Sequence, residues 1–326
     1  MRGCLSALDH HAVTPDTPTA LPGKDAGIHA TPALPALPAL PATQACSIAS
    51  LHVHPVKSCA GIAVGAAMLV ETGLDLDRCW MVVDPQGDML TQRELPRMAL
   101  VSTALRGGDV VLRAPGMLAL HLRVDTVEAA TRVRVWDDVV KAFDMGGLAA
   151  QWFTDLLGQP LRLVRFDPEE QRLSSPRWTG AVQAENAFSD GYPLLVASTA
   201  SLADLNTRLA ARGLAPVAMQ RFRPNIVLDG LQAFDEDHID EIVIDAGDDG
   251  SGPVVLRLVK PCVRCSIPNV DPATGTTSHE PGDTLAGYRA DARMEGGITF
   301  GMNAVIVEGI ERTLRVGQRV QARWSF

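Results

Sequence analysis

The chain has 326 residues, of which 46% are hydrophobic and 21% charged, so it is long enough for two globular domains or one large one. Its formal net charge of −9 excludes nucleic acid and anionic membrane surfaces as main partners, because an acidic surface repels both. The longest uncharged apolar run, residues 60–70, is far shorter than the roughly 20 residues that a membrane-spanning helix needs. The six cysteines are too irregularly spaced for a disulfide framework and no secretory signal follows Met1, so we expect reduced thiols and a cytoplasmic location.

The first 46 residues differ in composition from the rest of the chain. They hold seven of the 22 prolines, and three of these belong to a Pro-Ala-Leu repeat that begins at Pro32. Proline fixes φ and has no amide hydrogen, so the repeat disfavours both helix and sheet. We therefore expect residues 1–46 to form a disordered tail, and the sequence leaves open whether it docks to a partner or has no function.

Short β-type runs separated by turns follow the tail. Strands are predicted at Ile48–Val56, Val64–Glu71, Cys79–Val83, Met98–Leu105, Val110–Leu112, Arg132–Val135 and Leu161–Phe166. Leu148, Trp152 and Leu156 recur at helical spacing. They predict one helix over residues 147–157, which ends at Gly158.

A polar, proline-interrupted stretch at residues 167–186 is predicted to be a connecting surface loop. It separates a β-rich N-terminal domain, residues 47–166, from a second domain, residues 187–326. In the second domain we expect strands at Pro193–Ala197, Asn225–Leu228, Ile242–Ile244, Val254–Val259, Ala304–Glu308 and Arg319–Arg323, and a short helix near Asp283–Tyr288.

Two other features of the second domain carry structural expectations. A helix should begin at a Ser198 or Thr199 cap and end at Gly213. Its inward side chains are expected to be Leu202, Leu205 and Leu209. The acidic stretch at residues 235–240 lacks the glycine of a calcium-binding loop, so it is interpreted as a solvated turn.

The most informative segment of the chain is the cysteine-containing turn region at residues 260–275. Asp271-Pro272 and Thr274-Gly275 are turn sequences, because proline fixes φ and glycine accepts a positive φ. The thiol of Cys265 is therefore expected at the end of a strand. A thiolate binds soft metals, and a neighbouring guanidinium such as that of Arg264 favours the charged form of a thiol.

The pair Cys262-x-x-Cys265 has two further interpretations. Half of a zinc site would need a second ligand pair, and no other pair has suitable spacing. A redox-active dithiol would need a helix N-terminus, whereas Pro268 places the pair in a loop. We therefore interpret Cys262 as a packed small residue, like Cys59 and Cys79.

Three further segments place a cationic residue at a predicted strand end, namely residues 55–59, 77–80 and 221–225. The chain has four lysines against 25 arginines, and two of the four lie in these segments or in the cysteine segment. Lys57, Arg78 and Arg223 together would form an anion pocket in an acidic protein, because ammonium and guanidinium groups bind phosphate. Taken singly, each is better explained as a strand cap or as the partner of a surface carboxylate.

Together with Cys265, these segments resemble the MOSC family, and within it the mitochondrial amidoxime-reducing component and its bacterial relatives. The segments at residues 192–196 and 201–206 add to the resemblance, which runs from about Ser47 to Phe326. It implies a mixed α/β, mainly β fold, with a MOSC β-barrel core, an N-terminal β-barrel-like domain and a few short helices.

The resemblance also implies a pyranopterin molybdenum cofactor whose metal is bound by the soft thiolate of Cys265. The cofactor-binding residues that it implies are Lys57, Ser58, Arg78, Gly191, Tyr192, Arg223, Asn225, Arg264 and, as a weaker match, Asn303. Asp190 would stand near the metal as a second catalytic residue and deliver protons. The family leaves pyridoxal phosphate binding open as well.

The activity that this resemblance implies is the reduction of N-hydroxylated compounds, namely hydroxylamines, amidoximes and N-hydroxylated bases. The chain has no cysteine spacing for an Fe–S cluster, so electrons are expected from a separate ferredoxin, flavodoxin or cytochrome-type protein with its reductase. Pro268 and Asn269 replace threonines of the mitochondrial relatives, so substrate preference would differ. Two alternatives stay open: a persulfide sulfur carrier for metal–sulfur cluster or cofactor assembly, and a protein that stores the cofactor without turnover.

Overall fold

The alternating and β-branched runs of the sequence form strands in the computed structural model, which describes residues 43–126, 129–246 and 252–324. In chain order these strands are β1 (Thr43–Val53), β2 (Ile62–Val64), β3 (Ala66–Val70), β4 (Gly73–Leu74), β5 (Trp80–Val83), β6 (Ser102–Arg106), β7 (Asp109–Arg113), β8 (Leu120–Arg123), β9 (Ala130–Val135), β10 (Asp138–Asp144), β11 (Arg162–Phe166), β12 (Leu194–Ser198), β13 (Ile226–Asp229), β14 (Ile239–Ile244), β15 (Val254–Val263), β16 (Ala290–Asp291), β17 (Gly297–Glu308), β18 (Thr313–Arg315) and β19 (Arg319–Trp324). The expected tail lies outside the described residues except for residues 43–46, which already belong to β1.

Helices are few and short in the same part of the chain. The α-helices are α1 (Gly146–Leu157), α2 (Pro176–Thr179), α3 (Thr199–Ala211) and α4 (Gly282–Ala286). Short 3₁₀ turns lie at Pro96–Leu100, Met219–Arg221, Asp235–His238, Ile267–Asn269 and Ala292–Met294. None of the helices that the structure describes is long and apolar enough to cross a membrane.

Seven strands close a barrel in the order β12-β13-β1-β19-β14-β15-β17, with β17 pairing back to β12. The pairs are antiparallel except for β12 with β13. Closure pairs the backbone groups that an open sheet would leave free at its edges. β2 and β16 extend the sheet from β1 and β17. The predicted mixed, mainly β fold with a barrel core is therefore confirmed.

Alternating aliphatic side chains fill the interior of the barrel. On β19, Val320 and Ala322 are buried while Arg319, Gln321 and Arg323 face solvent. The interior also contains fully buried side chains from β1, β13 and β15, namely Leu51, Ile226 and Leu256. Each such side chain contributes about 1.5–3 kcal/mol through burial, so the alternation fixes the strand register.

Three smaller sheets accompany the barrel, with strand orders β5-β11-β10-β9, β6-β7-β8 and β18-β3-β4. Helix α1 packs against the first of them in a core that contains Trp80, Phe153 and Leu163. The predicted domain boundaries at residues 46, 166 and 186 stay predictions. Strand pairing nevertheless connects the two predicted domains, because β1 of the first pairs with β13 and β19 of the second.

Helix α1 agrees with the prediction in its limits but not in its buried face. It ends at Gly158, whose φ of 80° is the left-handed conformation that terminates helices. Trp152 and Leu156 are buried as expected, but Leu148 is 76% exposed. The buried face is centred on Phe153, which leaves Leu148 outside the packed surface.

The predicted cap of α3 is confirmed at Ser198, whereas one prediction in the barrel half and one before it were wrong in part. The side-chain oxygen of Ser198 accepts a hydrogen bond from the amide of Ser201 (3.1 Å), so Ser198 is the N-cap of α3. Residues 235–240 are only partly solvated: His238 and Asp240 are exposed, whereas Glu236 is fully buried and accepts hydrogen bonds from Ser198 and Ser201. Residues 98–100 form a 3₁₀ turn rather than a strand, because Pro96 presets a helical φ.

Two leucines of α1 offer a matched test of this packing. Leu156→Ala should lower the free energy of unfolding by about 2–5 kcal/mol, because Leu156 is 2% exposed and its loss leaves a cavity. Leu148→Ala should change it by less than about 0.5 kcal/mol. Urea unfolding of both variants checks this, and equal losses would contradict the assigned face.

Candidate functional site

The four segments singled out in the sequence meet in one cavity of about 530 Å³, a volume typical of small-molecule sites. It is lined by every residue expected at the site, namely Lys57, Ser58, Arg78, Asp190, Gly191, Tyr192, Arg223, Asn225, Arg264, Cys265 and Asn303. The other lining residues include Thr91, Arg93, Trp136, Asp137 and Cys262, which the sequence analysis did not assign to the site. The residues expected from the sequence therefore lie together in one cavity, while the role of each residue stays a prediction.

The barrel brings most of these residues together because they lie near the beginning or end of a strand, whereas Asn303 lies within β17. Lys57 follows β1, Asp190 precedes β12 and Arg223 precedes β13. These three strands are neighbours in the barrel. Cys265 follows β15, which is separated from β12 by β17 alone, and Arg78 precedes β5 of the adjoining sheet.

Lys57 is buried and forms an ion pair with the exposed carboxylate of Asp190 at the cavity wall. It is 5% exposed, and its Nζ donates to the carbonyl of Phe188 (2.7 Å) and to Oδ1 of Asp190 (2.5 Å). Burial lowers the pKa of Lys57, and the Asp190 charge offsets part of that effect. Burial by itself raises the pKa of Asp190. The Lys57 charge and hydrogen bond outweigh this effect and hold the pKa well below its usual range. Asp190 is therefore held as a carboxylate, which makes it a poor proton donor.

Arg78 is held by protein groups on both of its terminal nitrogens. Nη1 contacts the carboxylate of Asp77 and donates to Oδ1 of Asn225 (3.0 Å), and Nη2 donates to the carbonyl of Arg223 (3.0 Å). Burial alone raises the pKa of Asp77, but Arg78 and then His54 lower it to about 2. Asp77, which sequence reasoning did not assign a role, therefore fixes the Arg78 guanidinium in place.

Arg223 supplies a donor that no protein group uses. Its Nη1 donates to the carbonyl of Cys59 (2.5 Å), whereas Nη2 is buried without a hydrogen-bond partner among the described residues. Burial and the nearby charge of Arg78 lower the pKa of Arg223 to about 10, so it remains cationic near neutral pH. A buried unpaired guanidinium N–H that lines a cavity is suited to an anionic oxygen.

Backbone strain is concentrated around the cavity. Eight non-glycine residues in the described ranges have positive φ, and four of them line the cavity: Ser58 (66°), Arg78 (50°), Trp136 (55°) and Arg223 (58°). Each costs about 1–2 kcal/mol relative to an ordinary conformation. Such strain is typical of functional sites, where the surrounding structure imposes it.

Arg172 positions the segment that carries Asp190. It is 6% exposed, and its guanidinium donates to the carbonyls of Ala187 (3.1 Å), Ser189 (2.7 Å) and Asp190 (3.3 Å) and to the carboxylate of Asp138 (2.7 Å). Sequence reasoning placed Arg172 in a surface loop and missed this role. Its neighbours in the sequence give no signal, because its four acceptors lie 15 or more residues away.

The cysteine segment follows the sequence prediction except for Cys262. Cys262 lies on β15 and is partly exposed in the cavity rather than packed, and Cys265 lies just beyond the strand and is exposed. Nη1 of Arg264 lies 3.0 Å from the sulfur of Cys262, and Nη2 donates to the carbonyl of Phe222 (2.9 Å). The guanidinium expected to act on Cys265 thus contacts Cys262.

Lys260 does not line the cavity, so Lys57 is its only lysine among the described residues. Nζ of Lys260 lies 5.6 Å from the ring centroid of Trp178 and 5.7 Å from that of Tyr192. The amide nitrogen of Asn303 donates to the Lys260 carbonyl (3.2 Å). Lys260 therefore contacts the wall that Tyr192 and Asn303 form.

Trp136 and Arg93 form part of the wall from the N-terminal half of the chain. Trp136 occupies the two-residue turn between β9 and β10, and its Nε1 donates to Oδ1 of Asp190 (3.3 Å). The Arg93 guanidinium lies over the indole, 4.7 Å from the ring centroid. A large aromatic residue in a hairpin turn that normally selects Gly, Asn or Asp was a signal that the sequence offered and we did not use.

The donor set of the cavity fits a phosphate-bearing molybdenum cofactor. The unpaired Nη2 of Arg223 and the ammonium of Lys57 provide charge for phosphate oxygens. The exposed thiol of Cys265 provides a soft metal ligand on the same cavity. Among the described residues, no three His, Cys, Asp or Glu side chains form a cluster that could hold a metal ion by themselves.

Comparison with known proteins agrees with these features. A family model described as "MOSC N-terminal beta barrel domain" matches residues 45–160, and one described as "MOSC domain" matches residues 183–321. The chain is 37% identical over 253 residues to the mitochondrial amidoxime-reducing component 1 of Homo sapiens, which covers 74% of this chain and 72% of the relative. It is 36% identical over 255 residues to component 2 of Rattus norvegicus (74% and 72%) and 35% identical over 252 residues to component 1 of Danio rerio (74% and 74%).

The buried pair of Asp77 and Arg78 predicts a pH dependence of stability. Because folding holds the Asp77 pKa at about 2, below the ordinary 3.8, the carboxylate stabilises the folded state above that ordinary value. This stabilisation is lost progressively as the pH drops from 3.8 through about 2. Asp77→Asn should therefore lower the free energy of unfolding at neutral pH by roughly 2 kcal/mol, and the difference should shrink in acid.

Urea unfolding at neutral pH and at about pH 3 measures this difference. Asp75→Asn is the matched control, because Asp75 is exposed and its replacement should leave stability unchanged at both values. A difference for Asp77→Asn that is the same in acid as at neutral pH would contradict the assigned charge pairing.

Proposed function

This chain belongs to the MOSC protein family, and from that premise we propose that it is a molybdenum-cofactor-dependent oxidoreductase that reduces N-hydroxylated compounds. The observation that carries the proposal is the combination, in one cavity, of a buried cationic floor and an exposed cysteine. The overall reaction converts R–NHOH, two electrons and two protons into R–NH₂ and water. The N–O bond breaks, and the oxygen leaves as water.

The cationic floor is assigned to the cofactor phosphate. Lys57 and Arg223 contribute charge directly. The Lys57 ammonium lines the cavity beside Asp190, and Nη2 of Arg223 has no hydrogen-bond partner among the described residues. Arg78 also contributes positive charge, but its Nη1 already contacts Asp77 and donates to Asn225. Burial strengthens these interactions, because the low local dielectric screens them less than water does.

Cys265 is assigned as the protein ligand of molybdenum. When bound, the cofactor would supply the two-electron chemistry that removes the nitrogen-bound oxygen. Cys262 lies nearby but its sulfur contacts Arg264, which favours a role in holding the loop rather than in binding metal. The names of the relatives, amidoxime-reducing components, support amidoximes as one substrate class.

Protons for the reaction are assigned to water rather than to the carboxyl of Asp190. Lys57 keeps Asp190 ionised, so Asp190 would accept a hydrogen bond from a water molecule and orient it. Its side chain is 63% exposed, which gives water access to it. Asp190 thus acts as a fixed acceptor beside the Lys57 ammonium.

Electrons are assigned to a separate redox protein of the ferredoxin, flavodoxin or cytochrome type. The alternative of a persulfide carrier needs Cys265 but has no use for Lys57 and Arg223. Substitution of Lys57 or Arg223 should therefore impair the reductase and leave a persulfide carrier unaffected.

Cys265→Ala should abolish molybdenum binding and reduction of benzamidoxime while leaving the fold intact, because the exposed thiol contributes little packing. Cys262→Ala, in the same segment, should retain molybdenum. Metal analysis and donor-driven turnover of protein produced in cofactor-competent cells measure both effects. Molybdenum retained in Cys265→Ala, or absent from the wild-type protein, would contradict the assignment.

Lys57→Ala should reduce cofactor occupancy by roughly tenfold, because it removes a charged hydrogen-bond donor from the floor. Lys141→Ala is the control, since Lys141 is half exposed and pairs with Glu170 on the surface. Molybdenum and pterin content per protein chain measures occupancy. Equal occupancy in the two variants would remove Lys57 from the phosphate site and would favour the carrier function.

A further inference from the structure

We propose that Trp136 is a specificity-determining residue that stacks on the planar part of conjugated N-hydroxylated substrates at the mouth of the cavity. This inference rests on the proposed reductase function and names the substrate class that the site favours. The class comprises compounds in which the N–OH group is conjugated to a flat ring, such as aromatic amidoximes and N-hydroxylated bases. Hydroxylamine itself offers no ring.

The walls of the cavity differ in exposure, which separates its floor from its mouth. Lys57 and Asn225 are buried at the floor. Trp136 is 43% exposed, Val263 is 44% exposed, and Cys265 is exposed as well. A substrate that arrives from solvent therefore meets the indole and the cysteine side of the cavity before it meets the cationic floor.

Two contacts hold the indole in place without burying it. Its Nε1 donates to Oδ1 of Asp190 (3.3 Å), and the Arg93 guanidinium lies 4.7 Å from the ring centroid. Arg93 is in turn held by Thr91, whose hydroxyl oxygen accepts from its Nη1 (3.3 Å). The ring is thus oriented at both its polar edge and one face, and it still keeps a large exposed surface for a flat ligand.

The backbone at Trp136 adopts a left-handed conformation that a large side chain does not favour. Its φ of 55° lies in a two-residue hairpin turn, where Gly, Asn and Asp are favoured. An exposed indole at a strained turn adds little to the packed core. The strain is therefore consistent with a residue kept for its contact with a ligand.

The neighbour of the indole narrows the ligand chemistry. Asp190 is a carboxylate and accepts hydrogen bonds, so the N–H groups of an amidoxime or of an exocyclic hydroxylamino group fit beside it. A flat ring on Trp136 with N–H groups toward Asp190 places the polar end of the ligand at the inner side of the indole. An aliphatic N-hydroxylated compound makes only the second of these contacts.

The test compares benzamidoxime, acetamidoxime and hydroxylamine as substrates of the cofactor-loaded protein. For Trp136→Ala, the ratio of kcat/KM for benzamidoxime to that for hydroxylamine should fall by roughly tenfold, mainly through KM, because a stacking contact is lost. Trp136→Phe should restore most of the ratio. Trp136→Gly should lower the ratio equally while keeping the thermal unfolding midpoint, because glycine accepts the positive φ. Leu148→Ala, on the exposed face of α1, is the surface control and should leave the ratio unchanged.

An unchanged ratio in both Trp136→Ala and Trp136→Gly, or a failure of Trp136→Phe to restore it, would overturn the proposal. Equilibrium dialysis of benzamidine and acetamidine provides a readout that does not depend on turnover. Preferential binding of benzamidine that is lost in Trp136→Ala supports the platform, and binding that the substitution leaves unchanged overturns it. If the wild-type protein reduces none of the three substrates, the proposed function fails, and the dialysis result alone then decides on Trp136.

Discussion

Three cationic side chains, Lys57, Arg78 and Arg223, are gathered at one cavity, where Lys57 pairs with Asp190 and Arg78 pairs with Asp77. Removing charges from water is costly unless they are paired, and Nη2 of Arg223 has no hydrogen-bond partner in the part of the chain that the structure describes. Such an arrangement is difficult to explain as a device for stability. It is readily explained as a site completed by an anionic ligand, which would bring the missing counter-charge. The rest of the site can be understood as the means of holding these cations where a ligand reaches them.

The barrel supplies those means through its strand ends. Left-handed backbone conformations at Ser58, Arg78 and Arg223 turn the chain sharply beside the cavity, and each is imposed by strands whose register the packed interior fixes. Asp77 then clamps Arg78, and Arg172 anchors the carbonyls that precede Asp190. Strain and buried charge are thus concentrated in one region, and the aliphatic core of the barrel balances both.

Sequence alone predicted much of this because the relevant signals are local. Turn residues around Cys265 and cations beside strand ends can be recognised in short segments, and those segments do converge on one cavity. The helix limits at Ser198 and Gly158 likewise follow from capping chemistry, which acts within a few residues. What local pattern could not supply is the identity of distant partners. Arg172 and Glu236 look like surface residues in sequence, and only the tertiary fold buries them against their acceptors and donors.

Some of the differences have a more specific cause. The prediction for Leu148 relied on spacing alone, and spacing does not define where the packed surface of a helix ends. The expected influence of Arg264 on Cys265 relied on adjacency in sequence, whereas alternate residues of an extended chain share a face and Arg264 contacts Cys262 instead. Trp136 was overlooked because turns were identified by their small and polar residues.

The position of β1 between β13 and β19 has a consequence for how the molecule is made. The first strand of the described chain pairs with β19, from Thr43 with Arg323 to Ser47 with Arg319, so the barrel cannot close until β19 has been synthesised. Until then the edges that β1 will occupy stay open, and the turn that carries Lys57 lacks its frame. A chain that lacks β19 therefore has no closed barrel, and a resident group finds the finished frame of the pocket only after β19 has been added.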